Sequence, residues 1–418
     1  MVSCGQRCTR GPLTRLTGSI WALLSRFRAS TRSFLESKWA TRFTYALDRL
    51  PKTLRLLEIR YWRRWTVALY YRHKDYAPLP SRVTLRMTNS CNLRCVQCAQ
   101  WGDAGVFKAP ILPAQSRQMT TDDWKRFIDR LAPACPHIYF FGGEPFLRKD
   151  LLQLVRYATD RCVLTGINTN GHFLSGLGEQ IVGSGLDYLI VSLDGPPEIN
   201  NRIRVGNTDA FQRTREGVEE LTQAKSRLKS RYPLIEVCMT LTEENQYCIL
   251  ETARIAHQLG ADYFLLGLGI FTTAELAAES SDAYRAELGT VPKFFDGFVR
   301  NVSSMDPSAI AGQIQDVKRL WRSRYKQCPP GRFDLNNYFL KPREPVKRQP
   351  CIVPWLTMQI MPDGQLTFCE DFADFTVGNI RDVDPLTLWN NGQSMKYRRR
   401  IRTKGVFPAE SRCGNQYL

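Results

Sequence analysis

Histidine is scarce in this chain, which has four among 418 residues. A histidine-based hydrolase or a histidine-rich metal site therefore has little to be built from. The chain also has no run of about 18 uncharged apolar residues, so no membrane-spanning helix is predicted. The apolar run 20–24 is too short for the core of a signal peptide. We expect a cytoplasmic protein, with a peripheral place on the inner face of the membrane left open.

Acidic residues are few at the start of the chain. Residues 1–80 hold 16 Lys or Arg and four Asp or Glu, which accounts for two-thirds of the net charge of +18. Apolar residues at helical spacing predict helices across 14–70. These helices either pack on the rest of the chain or lie on an anionic membrane surface through residues 1–75. Nucleic-acid binding is a third alternative and the weakest, because no nucleic-acid-binding motif is visible.

Cysteine is abundant, with 13 in the chain. In a large chain without an export signal, cysteines are expected as metal ligands and buried free thiols rather than as disulfides. Three of them, Cys91, Cys95 and Cys98, have the spacing Cys-x3-Cys-x2-Cys and can reach one small object. Thiolates bind both zinc and iron–sulfur clusters. A zinc knuckle would need a fourth Cys or His nearby, and none follows within the next 30 residues.

Strand patterns alternate with helical patterns between residues 81 and 275, which predicts a parallel sheet with right-handed crossovers. The six predicted strands are 83–87, 137–141, 163–167, 188–191, 235–239 and 263–266. A polar or glycine-rich signature follows each of them. Since the carboxyl ends of parallel strands form one rim, and active sites are built on that rim in barrels, we expect the site there.

The Cys-x3-Cys-x2-Cys motif resembles that of the radical S-adenosylmethionine (radical SAM) enzymes. The resemblance implies a four-iron cluster held by Cys91, Cys95 and Cys98, with its fourth iron open to S-adenosylmethionine (SAM). It also implies reductive cleavage of SAM to a 5′-deoxyadenosyl radical, which takes a hydrogen atom from an unactivated carbon of the substrate. An electron donor similar to flavodoxin or ferredoxin is implied as a partner. The six units resemble the partial (β/α)6 TIM-like barrel of that family.

Further site residues are implied by the same resemblance. The stretch Gly142-Gly143-Glu144-Pro145 matches the family's GGEP motif, which holds the amino group of SAM. Three residues match family positions near the ribose and methionine of SAM: Asn168, Ser192 and Asp194. Arg204 matches a family arginine that pairs the SAM carboxylate. One departure is Gln97, where the family often has an aromatic or apolar residue against adenine.

The last 70 residues resemble the start of the SPASM or twitch extension, which binds auxiliary iron–sulfur clusters. The pattern Cys351-x12-Gly364-x4-Cys369 carries the resemblance, with Pro362-Asp-Gly364 predicted as a hairpin turn. After it only Cys413 follows, and Glu410 stands where another cysteine is often found. We therefore expect one auxiliary cluster, held by Cys351, Cys369 and Cys413. Cys328 is a candidate fourth ligand; the alternatives are an open fourth iron or a domain without a cluster.

The predicted architecture is therefore of the α/β class and has four parts. Residues 1–80 form a basic amphipathic helical extension, 81–275 the radical SAM barrel, 276–345 a helical bridge, and 346–418 the small SPASM-like domain. The catalytic residue that acts on substrate is not readable from the sequence.

The expected function is a radical modification of a peptide or protein, because SPASM-type enzymes often mature peptides. Alternatives are a membrane lipid, favoured by the basic N-terminal helices, and the epimerisation or dehydrogenation of a sugar or other small metabolite. A non-enzymatic alternative is an iron–sulfur electron carrier, which would not need the stretch 142–145.

Overall fold

The computed structural model describes residues 67–68, 71–107, 118–134, 137–206, 208–331, 333–346 and 351–414. Within these residues one sheet has the strand order β7-β6-β5-β4-β3-β2-β1-β8-β9. The strands from β7 to β8 pair in parallel, and β9 pairs antiparallel with β8. Strand bounds are Arg82–Arg86 (β1), His137–Phe141 (β2), Leu164–Thr169 (β3), Tyr188–Ser192 (β4), Leu234–Thr240 (β5), Tyr263–Gly267 (β6), Tyr325–Cys328 (β7), Thr357–Ile360 (β8) and Leu366–Thr367 (β9).

The six predicted barrel strands are confirmed as β1–β6, each within two residues of its expected ends. They stand side by side in sequence order, as a partial (β/α)6 barrel requires. The hairpin around Gly364 is also confirmed, since this glycine has φ +89° at the turn between β8 and β9. One expectation is wrong: residues 325–328 do not end a helical bridge but form β7, which extends the sheet beside β6. The hairpin strand β8 also joins the sheet, by pairing with β1.

Helices connect the parallel strands and cover the outer side of the sheet. Their apolar stripes meet buried strand residues such as Val83 and Leu85, both fully buried. The longer helices are Thr121–Leu131 (α1), Leu151–Asp160 (α2), Gly178–Gly183 (α3), Pro197–Ile203 (α4), Ala210–Arg227 (α5), Ile249–Gln258 (α6), Ala274–Leu288 (α7) and Pro307–Trp321 (α8). After β7 come Leu335–Leu340 (α9), Val353–Leu356 (α10), Pro385–Trp389 (α11) and Gly392–Lys404 (α12).

The inner face of the sheet is polar and aromatic rather than aliphatic. Tyr188 crosses over β3, where a Cβ on Gly166 would lie 2.0 Å from its ring. This glycine lets the Tyr188 hydroxyl reach the Nε2 of His137 at 2.7 Å and its ring stack on Tyr139. Because successive strand residues face opposite sides, Arg82, Thr84 and Arg86 share this inner face.

The C-terminal segment folds over the inner face of β1. The carboxylate of Glu370, next to Cys369, lies 3.0 Å from Arg82 and accepts a hydrogen bond from the Thr84 hydroxyl at 2.5 Å. These contacts fix the residue after Cys369 directly above β1. β1 therefore leads directly into the first cysteine motif and also contacts the residue that follows Cys369.

The predicted helices of residues 14–70 lie outside the described residues, apart from positions 67–68. None of the helices in the described ranges has both the length and the apolar character needed to cross a membrane. The segment just before β1 packs on the C-terminal part: the indole N–H groups of Trp355 and Trp389 donate to the carbonyls of Lys74 and Pro78 at 2.9 and 2.7 Å.

Candidate active site

The Cys-x3-Cys-x2-Cys motif lies in the loop that follows β1, at the carboxyl end of the sheet. All three of its cysteines are partly exposed. The segment after α4 holds the loop through backbone hydrogen bonds: Arg94 N–H donates to the carbonyl of Val205 at 2.6 Å, and Val96 N–H donates to that of Ile203 at 3.0 Å. The protein backbone itself therefore fixes the course of the cysteine loop.

The thiols of this loop lie close enough together to affect one another's ionisation. Burial raises the pKa of Cys91 to about 11 and that of Cys95 to about 12, and the neighbouring thiols add to both rises. Two donors approach Cys91 Sγ, the backbone N–H of Leu93 at 3.5 Å and the Nδ2 of Asn170 at 3.9 Å. Since thiolates are the form that binds iron, N–H groups beside the sulfur favour the ligating state.

The turn after β2 packs directly on the start of the cysteine loop. Gly142 has φ +146°, which side-chain-bearing residues rarely adopt. A Cβ on Gly143 would lie 2.1 Å from the carbonyl oxygen of Ser90, and the Gly143 N–H donates to the carbonyl of Thr88 at 2.7 Å. Both glycines are needed because two backbone segments touch here, and no side chain fits between them.

Replacing Gly143 by alanine should displace the cysteine loop. The added methyl group meets backbone rather than a movable side chain, so we expect a loss of about 1–3 kcal/mol in the free energy of unfolding. We also expect SAM affinity to fall about tenfold, as measured by equilibrium dialysis of the reconstituted protein. The matched control is Gly183→Ala, whose Cβ would meet nothing within 4 Å. Equal SAM affinity in both variants would contradict this account.

Glu144 ties the turn after β2 to the residues that follow β3. Its carboxylate is fully buried and accepts hydrogen bonds from the Asn170 N–H at 2.8 Å, the Phe146 N–H at 3.0 Å and the Thr169 hydroxyl at 2.9 Å. Burial raises the pKa of Glu144 to about 7, against these donors. A carboxylate has about four acceptor positions. One is left, so the predicted contact with the amino group of SAM is compatible with the geometry.

Asp194 is the centre of a buried polar network beside the cysteine loop. Its carboxylate lies 2.7 Å from Arg204 Nη2, and accepts hydrogen bonds from the Gln97 side-chain amide at 2.6 Å and the Thr240 N–H at 2.8 Å. The two charges are almost completely buried, which makes their pairing necessary. Arg204 Nε has no hydrogen-bond partner within the described residues. The predicted contacts of Asp194 and Arg204 with SAM stay predictions, now with one donor position available.

Asn168 and Ser192 occupy the carboxyl ends of the neighbouring strands β3 and β4, and both are partly exposed. Their predicted roles near the ribose and methionine likewise stay predictions. The sequence argument missed Asn170, whose amide donates to Asn92 Oδ1 at 2.8 Å and approaches Cys91 Sγ. Its signal was the Asn-Gly pair that follows β3 at the rim.

A cavity of about 270 Å³ opens beside Gln97, the residue before the third cysteine of the motif. Two polar atoms of its lining residues, Gln97 Oε1 and Thr242 Oγ1, are buried and lack a hydrogen-bond partner in the described part of the chain. Arg300 lines the same cavity. Apolar side chains form much of the wall: Leu241, Leu268, Ile270, Phe271, Met305 and Phe339.

The donor set and the cavity fit the implied cofactor. A nucleoside has flat apolar faces and polar edges, which match apolar walls with a few unpartnered polar atoms. The cavity adjoins Gln97, the position expected to contact adenine. Gln97 of the cysteine loop lines this cavity, and Glu144 accepts a hydrogen bond from Asn170, whose side chain approaches Cys91 Sγ.

A second group of cysteines gathers in the C-terminal part. Burial raises the pKa of the Cys413 thiol well above its usual range, and the acidic Asp371 and the thiols of Cys369 and Cys351 add to this rise. Cys413 Sγ lies 3.7 Å from Asp371 Oδ2, and the Phe372 N–H donates to Cys369 Sγ at 3.4 Å. The three thiols thus affect one another's ionisation, and their role as ligands of an auxiliary cluster stays a prediction.

Cys328 ends β7 next to this group, since its Sγ lies 2.3 Å from where a Cβ on Gly414 would stand. Its role as a fourth ligand stays a prediction, with an open iron as the alternative. Glu410 is buried, and its carboxylate accepts a hydrogen bond from the Phe407 N–H at 2.9 Å. Glu410 thus closes a turn at the position where a cysteine is often found.

Among the residues that the structure describes, no three His, Cys, Asp or Glu side chains stand close enough to hold a single metal ion. A four-iron cluster is larger than one ion, and its cysteine ligands stand correspondingly further apart. The absence of a single-ion site in the described ranges therefore does not bear on a four-iron cluster at either cysteine group.

Family models match two parts of the chain. The model described as the Radical SAM superfamily matches residues 85–237, and the one described as an iron–sulfur cluster-binding domain, SPASM, matches residues 351–415. The first match contains the cysteine loop and β2–β4, and the second contains Cys351, Cys369 and Cys413.

Curated relatives include synthases and a cyclase. An AdoMet-dependent heme synthase of Methanosarcina barkeri is 33% identical over 185 residues, 44% of this chain and 48% of that protein. Another AdoMet-dependent heme synthase, of Oleidesulfovibrio alaskensis, is 26% identical over 82% of this chain and 81% of that protein. A PqqA peptide cyclase of Bradyrhizobium diazoefficiens is 31% identical over 29% of this chain and 30% of that protein. The chain thus spans about half or less of the length of the first and third of these relatives.

Among solved structures, SuiB of Streptococcus suis is similar in fold, with a TM-score of 0.53 and 14% identity. The similarity covers 79% of this chain and 69% of SuiB. At this identity the comparison establishes the fold alone.

Proposed function

The chain belongs to the radical SAM superfamily and has a C-terminal SPASM domain, and from this we propose that it modifies its substrate by hydrogen-atom abstraction. It is an enzyme whose cofactors are a SAM-binding [4Fe-4S] cluster, SAM and an auxiliary iron–sulfur cluster. One observation carries the proposal for this chain. The cysteine loop, the Gly142–Pro145 turn and the Asp194–Arg204 pair meet at one rim, beside a cavity of about 270 Å³.

The chemistry supplied by the bound cluster and SAM is the reductive formation of a 5′-deoxyadenosyl radical. The chain's own residues position these groups. Cys91, Cys95 and Cys98 would hold the cluster, and Glu144 has one acceptor position for the amino group of SAM. Arg204 Nε is the donor available for the carboxylate of SAM, while Asp194 holds the guanidinium in place. An electron donor similar to flavodoxin or ferredoxin is proposed as a partner.

The proposed substrate is a peptide or protein. Support comes from the relation to a PqqA peptide cyclase, and from the auxiliary cysteines above the inner face, which suit a substrate held between two clusters. A second candidate is a tetrapyrrole, favoured because the relative that aligns over 82% of this chain is a heme synthase. A sugar or another small metabolite is the remaining small-molecule alternative.

Deuterium transfer tests the proposed function and identifies the substrate class. The reconstituted enzyme would be incubated without oxygen with SAM, a reductant and, in turn, deuterated peptide, tetrapyrrole, lipid and metabolite fractions. We expect deuterium in 5′-deoxyadenosine from the peptide fraction. Deuterium from another fraction would assign the substrate to that class instead, and the proposal of hydrogen abstraction would stand. No deuterium from any fraction would contradict the proposal of hydrogen abstraction.

A membrane lipid is the alternative that depends on the basic N-terminal segment, which lies outside the described residues. If that segment binds an anionic surface, full-length protein should bind anionic liposomes, with up to ~1 kcal/mol from each basic residue near the headgroups. Sedimentation with liposomes should show less binding at high salt, because screening weakens the attraction. A variant that lacks residues 1–75 is the control and should not bind. Full-length protein that stays unbound at low salt would remove the support for a lipid substrate.

A further inference from the structure

The inner face of β1 ends in an arginine, Arg86, whose side chain has no ion pair with a carboxylate among the described residues. Arg86 is fully buried, and its Nη2 donates to the backbone carbonyl of Glu370 at 3.1 Å. The Nε and Nη1 atoms have no hydrogen-bond partner among the residues described. Arg82, at the other end of β1 on the same face, is paired with the Glu370 carboxylate at 3.0 Å. β1 thus carries Arg82, which is paired with a carboxylate, and Arg86, two of whose N–H donor atoms have no acceptor among the described residues.

The surroundings of Arg86 do not replace the missing acceptor. Aromatic rings of Phe107, Phe141 and Phe294 lie 5.6–5.9 Å from the guanidinium carbon, at the outer limit of a cation–π contact. Burial lowers the pKa of Arg86 to about 10, although the acidic Asp371 opposes this. Burying a charged group is costly unless hydrogen bonds satisfy its donors. Two buried donors with no acceptor in the described part of the chain indicate that a further group binds there.

The position of Arg86 says where that group would lie. Arg86 is the last residue of β1, just before the cysteine loop, and Phe141 at its side directly precedes Gly142. On the other side, its bond to Glu370 places it against the residue that follows Cys369. Arg86 therefore lies between the loop that carries the barrel cysteines and the segment that follows Cys369.

We propose that Arg86 binds a carboxylate of the substrate in the space between the two cysteine groups. The inference rests on the proposed function, since that space is where a substrate would stand if hydrogen abstraction occurs at the barrel rim. A guanidinium offers parallel N–H donors that match the two oxygens of a carboxylate. In a peptide the carboxylate is an Asp or Glu side chain or the C-terminus, and in a tetrapyrrole it is an acidic substituent.

The test measures binding of acetate labelled with ¹³C in the carboxyl group, through the relaxation that the reduced clusters cause. The holoenzyme carries S-adenosylhomocysteine, which fills the SAM site and is not cleaved, and labelled acetamide is the uncharged comparison. We expect relaxation of acetate well above that of acetamide. Arg86→Gln should weaken acetate binding about tenfold, equivalent to ~1.4 kcal/mol. Arg86→Lys keeps the positive charge but lacks the parallel N–H donors of a guanidinium, so it should bind acetate with intermediate affinity.

The exposed Arg285 supplies the matched control, since Arg285→Gln removes a surface arginine that pairs with Asp282 at 3.4 Å. Iron content and circular dichroism of each variant report folding. Acetate binding by Arg86→Gln at wild-type strength would overturn the proposal, as would wild-type protein that treats acetate and acetamide alike. If Arg86→Gln does not fold, the proposal is tested by acetate binding to Arg86→Lys and by the comparison of acetate with acetamide in the wild-type protein.

Two further arms identify the source of the carboxylate. A Gly-Glu-Gly peptide and coproporphyrin III would each compete against labelled acetate, and stronger competition by one assigns the carboxylate to a peptide or to a tetrapyrrole. Cleavage of SAM is measured on separate samples of the same protein, with SAM and a reductant in place of S-adenosylhomocysteine. Absence of cleavage with acetate bound at Arg86 would contradict the proposed function alone, and cleavage without acetate binding would contradict the Arg86 site alone.

Discussion

Replacing Cys91, Cys95 and Cys98 together by alanine should abolish the formation of 5′-deoxyadenosine from SAM. The loop that carries them is held by backbone bonds to Val205 and Ile203. Its course should therefore survive the loss of the thiols, while the cluster loses its ligands. Since the chemistry depends on the cluster as a unit, we expect a fall of ~10³-fold or more in product formed under reducing conditions, measured by chromatography.

The control for this variant is Cys162→Ala, which removes a thiol between the end of α2 and the start of β3, at the amino end of that strand. It should form product at the wild-type rate. Circular dichroism should show the same helix and strand content for the wild type and both variants. Product formation by the triple variant at more than trace level would remove these cysteines from the mechanism, whatever their iron content.

Replacing Cys351, Cys369 and Cys413 together by alanine should reduce the iron bound by the reconstituted protein from about eight atoms to about four. The thiols of Cys369 and Cys351 affect the ionisation of Cys413, whereas the barrel cysteines lie in a separate loop that follows β1. The loss should therefore be confined to the auxiliary cluster. The barrel variant described above is the reciprocal case and should also keep about four irons.

The irons of the two variants are counted by colorimetric assay after acid release. If the barrel variant keeps no iron, the C-terminal domain holds no cluster, and Glu410 at a cysteine position would be the reason. Cys328→Ala then addresses the fourth ligand. A changed electron paramagnetic resonance (EPR) spectrum of the auxiliary cluster would assign Cys328 to it, and an unchanged spectrum would indicate an open iron.

The sequence predicted the barrel well because its signals were local. Each inner strand has the short apolar pattern of a buried parallel strand, and each ends in polar or glycine residues that the rim uses. Gly142 and Gly143 could be predicted for the same reason: a close approach of two backbones leaves few alternatives to glycine. The cysteine spacing likewise fixed which thiols share the loop after β1.

What the sequence could not predict depends on contacts between distant residues. Strand β7 is only four residues long, and its place beside β6 is set by pairing rather than by its own pattern. The pairing of Asp194 with Arg204 and Gln97 joins three separate loops. Arg86 within a predicted strand looked like any alternating polar residue. Only the folded chain shows that its partner is a backbone carbonyl and that two of its donors are unpaired.

The most direct test of the central claim is electron–nuclear double resonance on the reduced enzyme with SAM labelled by ¹⁵N in its amino group. The claim is that Cys91, Cys95 and Cys98 hold a four-iron cluster whose open iron binds SAM beside Glu144. We predict a ¹⁵N coupling to the reduced cluster in wild-type protein and in the variant without Cys351, Cys369 and Cys413. A reduced cluster at the barrel rim that shows no ¹⁵N coupling with SAM bound would contradict the claim.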